Sequence, residues 1–427
     1  MSSKVIERVT GRRLWDSRGR PTVEVEVVLS SGATGRALAP AGASRGTAEA
    51  IDRRDGGSRF NGQDVTLAVA AVNTEISSRL RGMDANDQAG IDAALIALDG
   101  TTNKSRLGGN ATVAASMAVA HASANAAHLP LWKYLAAGKQ VHLPLPEIQI
   151  FGGGAHAGRR VDVQDFMIVA VGASDYTQAL DWSAEVYRCA GEWMARAGLL
   201  HGVADEGGFW PAFSANSEAL DALVRAIELA GFRPGEEVAI SLDVAASEFG
   251  SNGRYHLGLE AREMDSSAWG DLLLQWLRHY PIVAIEDPFA EDDPDSFTRF
   301  TKAAGNIAVV GDDLLVTSAD RIRAAAAHGN CNTALIKPNQ VGTLTETKAA
   351  LDAALAAGWG AIISARSGET EDVTIAHLAV GWGAPMLKVG SFARSERMAK
   401  WNEGLRIAET LGNRGNLLPS SAFPWGK

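Results

Sequence analysis

The sequence predicts an α/β protein of two domains, an N-terminal α+β domain followed by a parallel (β/α) barrel. An alternating strand pattern near the N-terminus is followed by Ala-rich helical segments that end near Ala137. From Asp243 onward, short apolar runs that each end in one charged residue alternate with helical stretches. Repeated strand-then-helix units are typical of a parallel barrel, and 427 residues are enough for a barrel and one further domain.

The first domain is predicted to contain a three-stranded antiparallel sheet backed by helices. Residues 22–29 (TVEVEVVL) alternate apolar and acidic side chains, which is typical of a strand with one buried face. The neighbouring segments 4–14 and 36–40 can pair with this strand on either side. After Thr47 the pattern turns helical, so we expect the helices to follow the sheet directly.

The boundary between the two domains is predicted to lie between Ala137 and Pro146. Pro144 and Pro146 interrupt the helical pattern there, because proline lacks a backbone donor and disfavours a helix just before it. We therefore expect an N-terminal capping domain at residues 1–138 and a catalytic barrel at residues 143–427.

The charged residues that end the apolar runs follow one another in a chemically meaningful order. They are Asp243, Glu286, Asp312, Lys337, Arg366 and Lys388. An Asp at a strand end is often only a helix cap, and a lone Lys is often a solvated stem. Six such residues in succession are hard to assign to capping, and the strand ends of a parallel barrel meet at one open mouth. The series predicts a divalent-metal site that faces a base and an anion-binding group.

Composition narrows the class of protein further. With 46% hydrophobic and 21% charged residues, the chain fits a globular two-domain enzyme. A net charge of -10 argues against nucleic-acid binding, which needs a clustered basic face. An acidic protein can still bind an acidic substrate where metal ions and a few Lys or Arg side chains dominate the local field.

The cysteines and the N-terminus predict a cytoplasmic location. Cys189 and Cys331 are far apart in the sequence and show no metal-ligand spacing, so neither disulfides nor a zinc site is expected. The first residues contain no apolar core of the kind that a secretory signal has. The apolar stretch 111–127 is interrupted by Ser, His and Asn, so no membrane span is expected.

Motifs spread over residues 13–411 resemble enolase, the glycolytic lyase that interconverts 2-phosphoglycerate and phosphoenolpyruvate. In chain order they are LWDSRGRPTVEVEV, AGASRGTAEA, GMDANDQAGID, LDGTTNKSRLGGNA, VQDFM, DEGGF, LDVAASEF, IEDPFAEDD, GDDLLVT, KPNQVGTLTET, SARSGETED and ARSERMAKWNEGLRI. The resemblance implies a modified eight-stranded (β/α)8 TIM-type barrel that starts ββαα. It also implies two Mg²⁺ per active site, a small phosphorylated three-carbon acid or an analogue as substrate, and a homodimer or larger homo-oligomer.

The resemblance also assigns roles to individual residues. Asp243, Glu286 and Asp312 match the ligands of the first magnesium, and Ser44 helps to bind the second. Lys337 matches the base. The other matched residues are Lys388 at the substrate carboxylate, Arg366 and Ser367 at the phosphate, Gln164 as a further contact, Glu206 and Asp165 at the leaving hydroxyl, and His156 with Ser44 on closing loops.

Physical reasoning supports these roles. Removing a proton next to a carboxylate places a second negative charge on that group, so cations must lie beside the developing charge. Three hard oxygen ligands suit Mg²⁺, and the fork of donors on Arg366 suits a phosphate. A base must be neutral, so we expect Lys388, Arg366 and metal charge to lower the pKa of Lys337 from roughly 10.4.

The chain departs from the family pattern on the leaving-group side. Asp165 replaces a Glu and Ala365 replaces a His. Phe151 replaces the Asn that opens an Asn-Gly-Gly loop, and Trp210 replaces a small residue after DEGGF. The metal ligands, both lysines and the phosphate arginine are spared. We therefore expect a working, specialised paralogue whose enolate-forming half is intact, with carboxyphosphonoenolpyruvate synthase as one example.

Two alternatives stay open at the level of the sequence. The first is an ordinary glycolytic enolase that tolerates these substitutions. The second is a non-catalytic, enolase-like binding protein. Retention of Lys337 and of three carboxylates argues against the second, because a decaying site has no reason to keep costly buried charges.

Overall fold

A computed structural model describes residues 4–210, 212–412 and 416–426 of the chain. Its N-terminal part is a three-stranded antiparallel sheet in the order β1-β2-β3. The strands are β1 (Ile6–Trp15), β2 (Pro21–Leu29) and β3 (Thr34–Leu38). The helices are α1 (Thr66–Ala71), α2 (Ser77–Leu80), α3 (Gln88–Asp99), α4 (Gly109–Ala126) and α5 (Leu131–Ala136). The predicted sheet and its helical backing are confirmed.

The start of the helical region was predicted too early. Between Thr47 and α1 the chain forms only a short 3-10 turn at Arg59–Gly62. This segment makes loop contacts instead, for example from the Ala50 amide to the Gln340 carbonyl at 2.7 Å, which ties it to the second half of the chain. Tertiary contacts of this kind override the local preference for helix.

Helix α4 packs against β2 and β3 and is buried along most of its length. Its alanines allow this close approach, and Gly35 of β3 makes it possible from the sheet side. A Cβ at Gly35 would lie 2.1 Å from the Ala122 nitrogen and 2.2 Å from the Ala118 oxygen. The Ala-rich composition of this region is therefore a packing requirement of the sheet it covers.

The second half of the chain is a closed barrel of eight strands. The strands of the barrel are β4 (Leu145–Gly152), β5 (Asp165–Val169), β6 (Ala239–Asp243), β10 (Ile282–Glu286), β11 (Ala308–Gly311), β12 (Thr333–Ile336), β13 (Gly360–Ser364) and β14 (Met386–Gly390). A small sheet of β7 (Gly250–Ser251), β8 (Arg254–Leu257) and β9 (Arg262–Asp265) follows β6.

The helices around the barrel lie between these strands. They are α6 (Tyr176–Arg196), α7 (Asn216–Leu229), α8 (Ser266–His279), α9 (Pro294–Ala303), α10 (Ala319–His328), α11 (Pro338–Val341), α12 (Leu344–Ala356), α13 (Thr374–Trp382) and α14 (Ser395–Leu411). Strand β5 runs antiparallel to β4 and β6, and α6 and α7 both follow it. The remaining strand pairs of the barrel are parallel. The ββαα start implied by the resemblance is confirmed.

The domain limits 1–138 and 143–427 stay predictions. Helix α5 ends at Ala136 and the first barrel strand begins at Leu145, so the turn from one architecture to the other lies between these residues. No helix in the described ranges is long and apolar enough to cross a membrane.

The last described residues cover the end of the barrel opposite to the strand carboxyl ends. Phe423 is 4% exposed and packs with buried residues of the barrel interior such as Leu145 and Met386. Leu417 and Trp425 pack against the same cluster. The C-terminal segment thus completes the apolar core at this end.

Replacing Phe423 by Ala is expected to lower the free energy of unfolding by about 3 kcal/mol, because truncating a buried Phe removes apolar burial and leaves a cavity. Chemical denaturation measures this change. Phe60→Ala is the control, since Phe60 is 40% exposed and its loss should cost less than about 1 kcal/mol. Equal losses in the two variants would contradict the role of the C-terminal segment.

Candidate active site

The six charged residues predicted at strand ends lie at one end of the barrel. Asp243 and Glu286 are the last residues of β6 and β10. Asp312 and Lys337 directly follow β11 and β12. Arg366 lies two residues beyond β13, and Lys388 lies within β14. All six side chains are buried, so the apolar strands deliver these charges into one enclosed space.

The lysines and the carboxylates form close ion pairs. The Lys388 Nζ lies 2.8 Å from the Asp243 Oδ2 and 2.6 Å from the Glu286 Oε2. The Lys337 Nζ donates to the Asp312 Oδ2. Each carboxylate predicted to bind the first magnesium therefore contacts an amine of the site.

Two glutamines orient the same carboxylates. The Gln340 Nε2 donates to the Asp312 Oδ1 at 2.8 Å, and the Gln164 Nε2 donates to the Asp243 Oδ2 at 3.2 Å. The sequence assigned Gln164 to the substrate, and the structure places it on a carboxylate of the site. Gln340 was missed, although it lies three residues after Lys337 at the start of a helix.

Electrostatics shows that this group of carboxylates needs positive charge. Burial raises the pKa of Glu286 well above its ordinary value, and the nearby Asp243 raises it further. Burial also opposes ionisation of Asp243, but Lys388 outweighs it and leaves the pKa of Asp243 lowered. The Glu286 Oε1 is buried and has no hydrogen-bond partner among the described residues.

These observations fit a divalent cation of the Mg²⁺ type. Three carboxylates offer hard oxygen ligands, and a buried carboxylate oxygen without a donor is suited to a metal ion. Asp287 and Asp313 lie close enough to Asp312 to form a further acidic group. Asp287 accepts the amides of Asp312 and Asp313 at 2.9 and 2.7 Å, so its role is to fix the loop that carries Asp312.

The expected lowering of the Lys337 pKa does not follow from the protein groups. Burial favours the neutral amine, but the surrounding carboxylates, Asp312 first and then Glu286, leave the pKa of Lys337 above its ordinary value. Arg366 and Lys388 act in the expected direction. The sequence predicted the positive charges near Lys337 but not the carboxylates Asp312 and Glu286 as its neighbours, and these carboxylates raise its pKa.

Arg366, which the sequence assigned to the phosphate, is held by residues from the N-terminal part of the chain. The Arg366 Nη1 lies 3.0 Å from the Glu49 Oε2, and its Nη2 donates to the Ser44 carbonyl at 3.0 Å. The Ser367 Oγ accepts the Ala43 amide at 2.6 Å. The structure thus places Ser44 at Arg366 through its main chain, and metal binding by its hydroxyl stays a prediction.

The main chain at Gly42 lies directly against the guanidinium of Arg366. A Cβ at Gly42 would lie 1.9 Å from the Arg366 Nη2, so no larger residue fits beside the guanidinium. Glu49 was missed by the sequence reasoning, which treated the AGASRGTAEA motif as a whole. Its burial together with Arg366 marks it as the counter-ion that keeps a buried guanidinium paired.

On the leaving-group side, His156 lies between two carboxylates. The His156 Nδ1 lies 2.9 Å from the Asp165 Oδ1, and its Nε2 lies 3.8 Å from the Glu206 Oε1. Burial lowers the pKa of His156, but Asp165 and Glu206 outweigh burial and raise it to about 9. The sequence assigned His156 a catalytic and substrate-binding role on a closing loop. The structure places its ring between Asp165 and Glu206, where the raised pKa favours the imidazolium.

One carboxylate oxygen of Asp165, Oδ1, accepts hydrogen bonds from two protein side chains. This oxygen accepts from His156 and from the Gln149 Nε2, while the Gln149 Oε1 accepts the Gly208 amide at 2.7 Å. Burial raises the pKa of Asp165 to about 6. Gln149 was missed, although a polar residue within the apolar run PLPEIQIF is a detectable signal.

Ala365 and Trp210 are two further departures from the family pattern. Ala365 is 6% exposed, and its amide donates to the Lys388 carbonyl at 2.9 Å, so its methyl side chain adds no polar group to the site. Trp210 packs near Gly158, where an added Cβ would lie 3.4 Å from the indole. Trp210 thus borders the loop that carries His156.

Comparison with known proteins agrees with the fold. The family model described as "Enolase, N-terminal domain" matches residues 6–135, and the model described as "Enolase, C-terminal TIM barrel domain" matches residues 140–422. The chain is 47% identical over 421 residues to "Enolase 2" of Pseudomonas syringae pv. syringae (strain B728a), covering 98% of this chain and 99% of that protein. "Enolase 2" of Pseudomonas syringae pv. tomato (strain ATCC BAA-871 / DC3000) gives the same identity and coverage. With matches along both halves and a barrel mouth of this chemistry, the chain belongs to the enolase family of lyases.

Proposed function

We propose that this protein is a Mg²⁺-dependent carbon-oxygen lyase that forms an enolate from 2-phosphoglycerate, phosphoenolpyruvate or a close analogue. We further propose that it is a specialised paralogue, for example of the carboxyphosphonoenolpyruvate synthase type. One observation carries this proposal. The groups that would form the enolate converge as in a working site. On the leaving-group side the Asp165 Oδ1 is occupied by His156 and Gln149, and its Oδ2 has no hydrogen-bond partner among the described residues.

The enolate-forming half can act as follows. The pKa of Lys337 is raised by the neighbouring carboxylates Asp312 and Glu286, so its amine would become neutral only when a bound cation offsets their charge. In that state Lys337 would remove the proton next to the substrate carboxylate, and Lys388 would place positive charge beside the developing negative charge. Arg366 and Ser367 hold the phosphate. Mg²⁺ bound by Asp243, Glu286 and Asp312 would supply further positive charge at the carboxylate. These charges lie in a buried space, where electrostatic effects are stronger than in water.

The leaving-group half of the site differs from the enolase family pattern in the residue that would donate a proton. The imidazolium of His156, oriented by Asp165, lies beside Glu206 and can donate a proton. Ala365 contributes no polar atom. This combination favours a substrate whose leaving or transferred group differs from the hydroxyl of 2-phosphoglycerate.

Further parts of the proposal rest on family membership alone. We propose a second Mg²⁺ that Ser44 helps to bind, a homodimer or larger homo-oligomer, and a cytoplasmic location. Ordinary glycolytic enolase is the competing function, and it predicts full activity on 2-phosphoglycerate. A non-catalytic role is disfavoured, because the site maintains many buried charges that stabilise the fold little.

The test is dehydration of 2-phosphoglycerate by purified protein with Mg²⁺, measured beside an ordinary enolase. The wild-type protein should be slow. Asp165→Glu and Ala365→His together should raise the rate at least about tenfold, or roughly 1.4 kcal/mol of barrier. The double variant should gain more than the single variants suggest, because groups that act on one leaving oxygen are not additive.

A matched pair of substitutions remote from the site is the control. Asp175→Glu and Ala357→His make the same chemical changes at exposed helix ends and should leave the rate unchanged. A wild-type rate equal to that of the ordinary enolase would contradict specialisation and leave glycolytic enolase as the function.

A further inference from the structure

Arg397 of α14 is fully buried and directs its guanidinium at main-chain oxygens. The Arg397 Nη1 donates to the carbonyls of Arg366 and Val389 at 2.6 and 2.9 Å, and its Nη2 donates to the Ser367 carbonyl at 2.5 Å. The exposed fraction of Arg397 is 0%. One side chain therefore connects the segment after β13 with β14.

These three carbonyls belong to the segments that carry the anion-binding groups. Arg366 and Ser367 are the residues proposed to bind the substrate phosphate. Val389 directly follows Lys388, which is proposed to bind the substrate carboxylate. A main-chain shift of about 1 Å at such positions is enough to weaken a site strongly. The guanidinium of Arg397 thus helps to set the distance between the residues proposed to bind the phosphate and Lys388, which is proposed to bind the carboxylate.

Arg397 also lies beside the segment that carries Glu206. A Cβ at Gly390 would lie 2.7 Å from the Glu206 carbonyl and 3.0 Å from the Arg397 Cδ, and Gly390 has a φ of +120°. The Ser391 amide donates to the Glu206 carbonyl at 2.9 Å. Arg397 therefore packs behind Gly390, next to the hydrogen bond from Ser391 that fixes the main chain of Glu206.

Packing alone does not explain a charged residue at this position. Burying a guanidinium costs free energy, and an apolar side chain of similar volume would fill the space at lower cost. The nearest carboxylate, Glu396, is 3.4 Å from the Arg397 Nε, and this nitrogen has no hydrogen-bond partner in the described part of the chain. What an apolar residue could not supply is a planar fork that holds three carbonyls in fixed positions.

We propose that Arg397 is a positioning residue that holds the phosphate-binding turn of Arg366 and Ser367 in register with Lys388. The inference rests on the proposed function, since it takes these residues as the groups that bind the two anionic ends of the substrate. It goes beyond the substrate contacts, because Arg397 acts only through the main chain of other residues.

The experiment is calorimetric titration of phosphoenolpyruvate into the full-length protein with Mg²⁺. Arg397→Met should weaken binding at least about tenfold. Arg397→Gln keeps two amide donors without the charge, and Arg397→Lys keeps the charge without the fork. Both should bind between the wild-type protein and Arg397→Met, since each restores part of the contact.

Two controls separate positioning from general effects. Arg406→Met removes an exposed arginine from the same helix, and Phe423→Ala destabilises the opposite end of the barrel. Both should bind phosphoenolpyruvate as the wild-type protein does. Thermal denaturation of every variant shows how much stability each one has lost.

The outcomes are distinguishable. If the wild-type protein does not bind phosphoenolpyruvate, the result contradicts the proposed function. If folded Arg397→Met, or folded Arg397→Gln where the Met variant does not fold, binds with wild-type affinity, Arg397 is structural only and the inference is overturned. The inference is also overturned if Arg397→Met and Phe423→Ala lose the same amount of stability and the same amount of affinity for phosphoenolpyruvate, because the loss of affinity would then follow from destabilisation.

Discussion

Replacing Lys337 by Ala is expected to abolish exchange of the substrate's C2 proton with solvent, with a loss of at least about 10³-fold, within the range that a general base contributes. Lys337 is buried at the barrel mouth and is held by Asp312. The other amine of the site, Lys388, is already paired with Asp243 and Glu286.

Deuterium incorporation into 2-phosphoglycerate in D₂O, followed by NMR, measures this step whatever the later chemistry is. Lys348→Ala is the matched control, since Lys348 is a lysine of α12 that pairs with Asp352 away from the site. Undiminished exchange in Lys337→Ala would move the base role to another residue, with Lys388 the first to test.

Removal of Mg²⁺ is expected to weaken binding of phosphoenolpyruvate by at least about 100-fold, or roughly 2.7 kcal/mol. The carboxylates of Asp243, Glu286 and Asp312 repel an anionic ligand unless a cation offsets them. The raised pKa of the buried Glu286 reflects the same shortage of positive charge.

Titration calorimetry in Mg²⁺ and in chelator measures the difference. Asp312→Asn removes one ligand charge and keeps the shape of the side chain, so it should shift the Mg²⁺ dependence to higher concentration. Asp352→Asn, on an exposed helix face, is the control. Equally tight binding in chelator would contradict the metal site.

The sequence predicted the features that depend on local pattern. Each apolar run that ends in a charge became a barrel strand, and the strand ends brought Asp243, Glu286 and Lys388 into contact. The antiparallel course of β5 came from the family resemblance and not from its residues, because a strand of five residues has no pattern that reveals its direction.

What the sequence could not provide are pairings between distant segments. Glu49 and Arg366 are separated by 317 positions, and nothing in either motif indicates that they meet. The same holds for Gln149 with Asp165, and for Arg397 with the carbonyls it binds. The direction of the Lys337 pKa shift was missed for a related reason, since it depends on how burial and several charges from distant segments combine.

The pairing of Glu49 with Arg366 also has a consequence for hybrid genes. If the N-terminal part of one family member is joined to the barrel of another, the phosphate end of the site is assembled from two different ancestries. Glu49, Gly42 and the Ala43 amide would have to meet an Arg366 and a Ser367 that evolved beside other neighbours. Crossovers that keep these five positions from one parent should yield working proteins more often than crossovers placed at the turn between the domains.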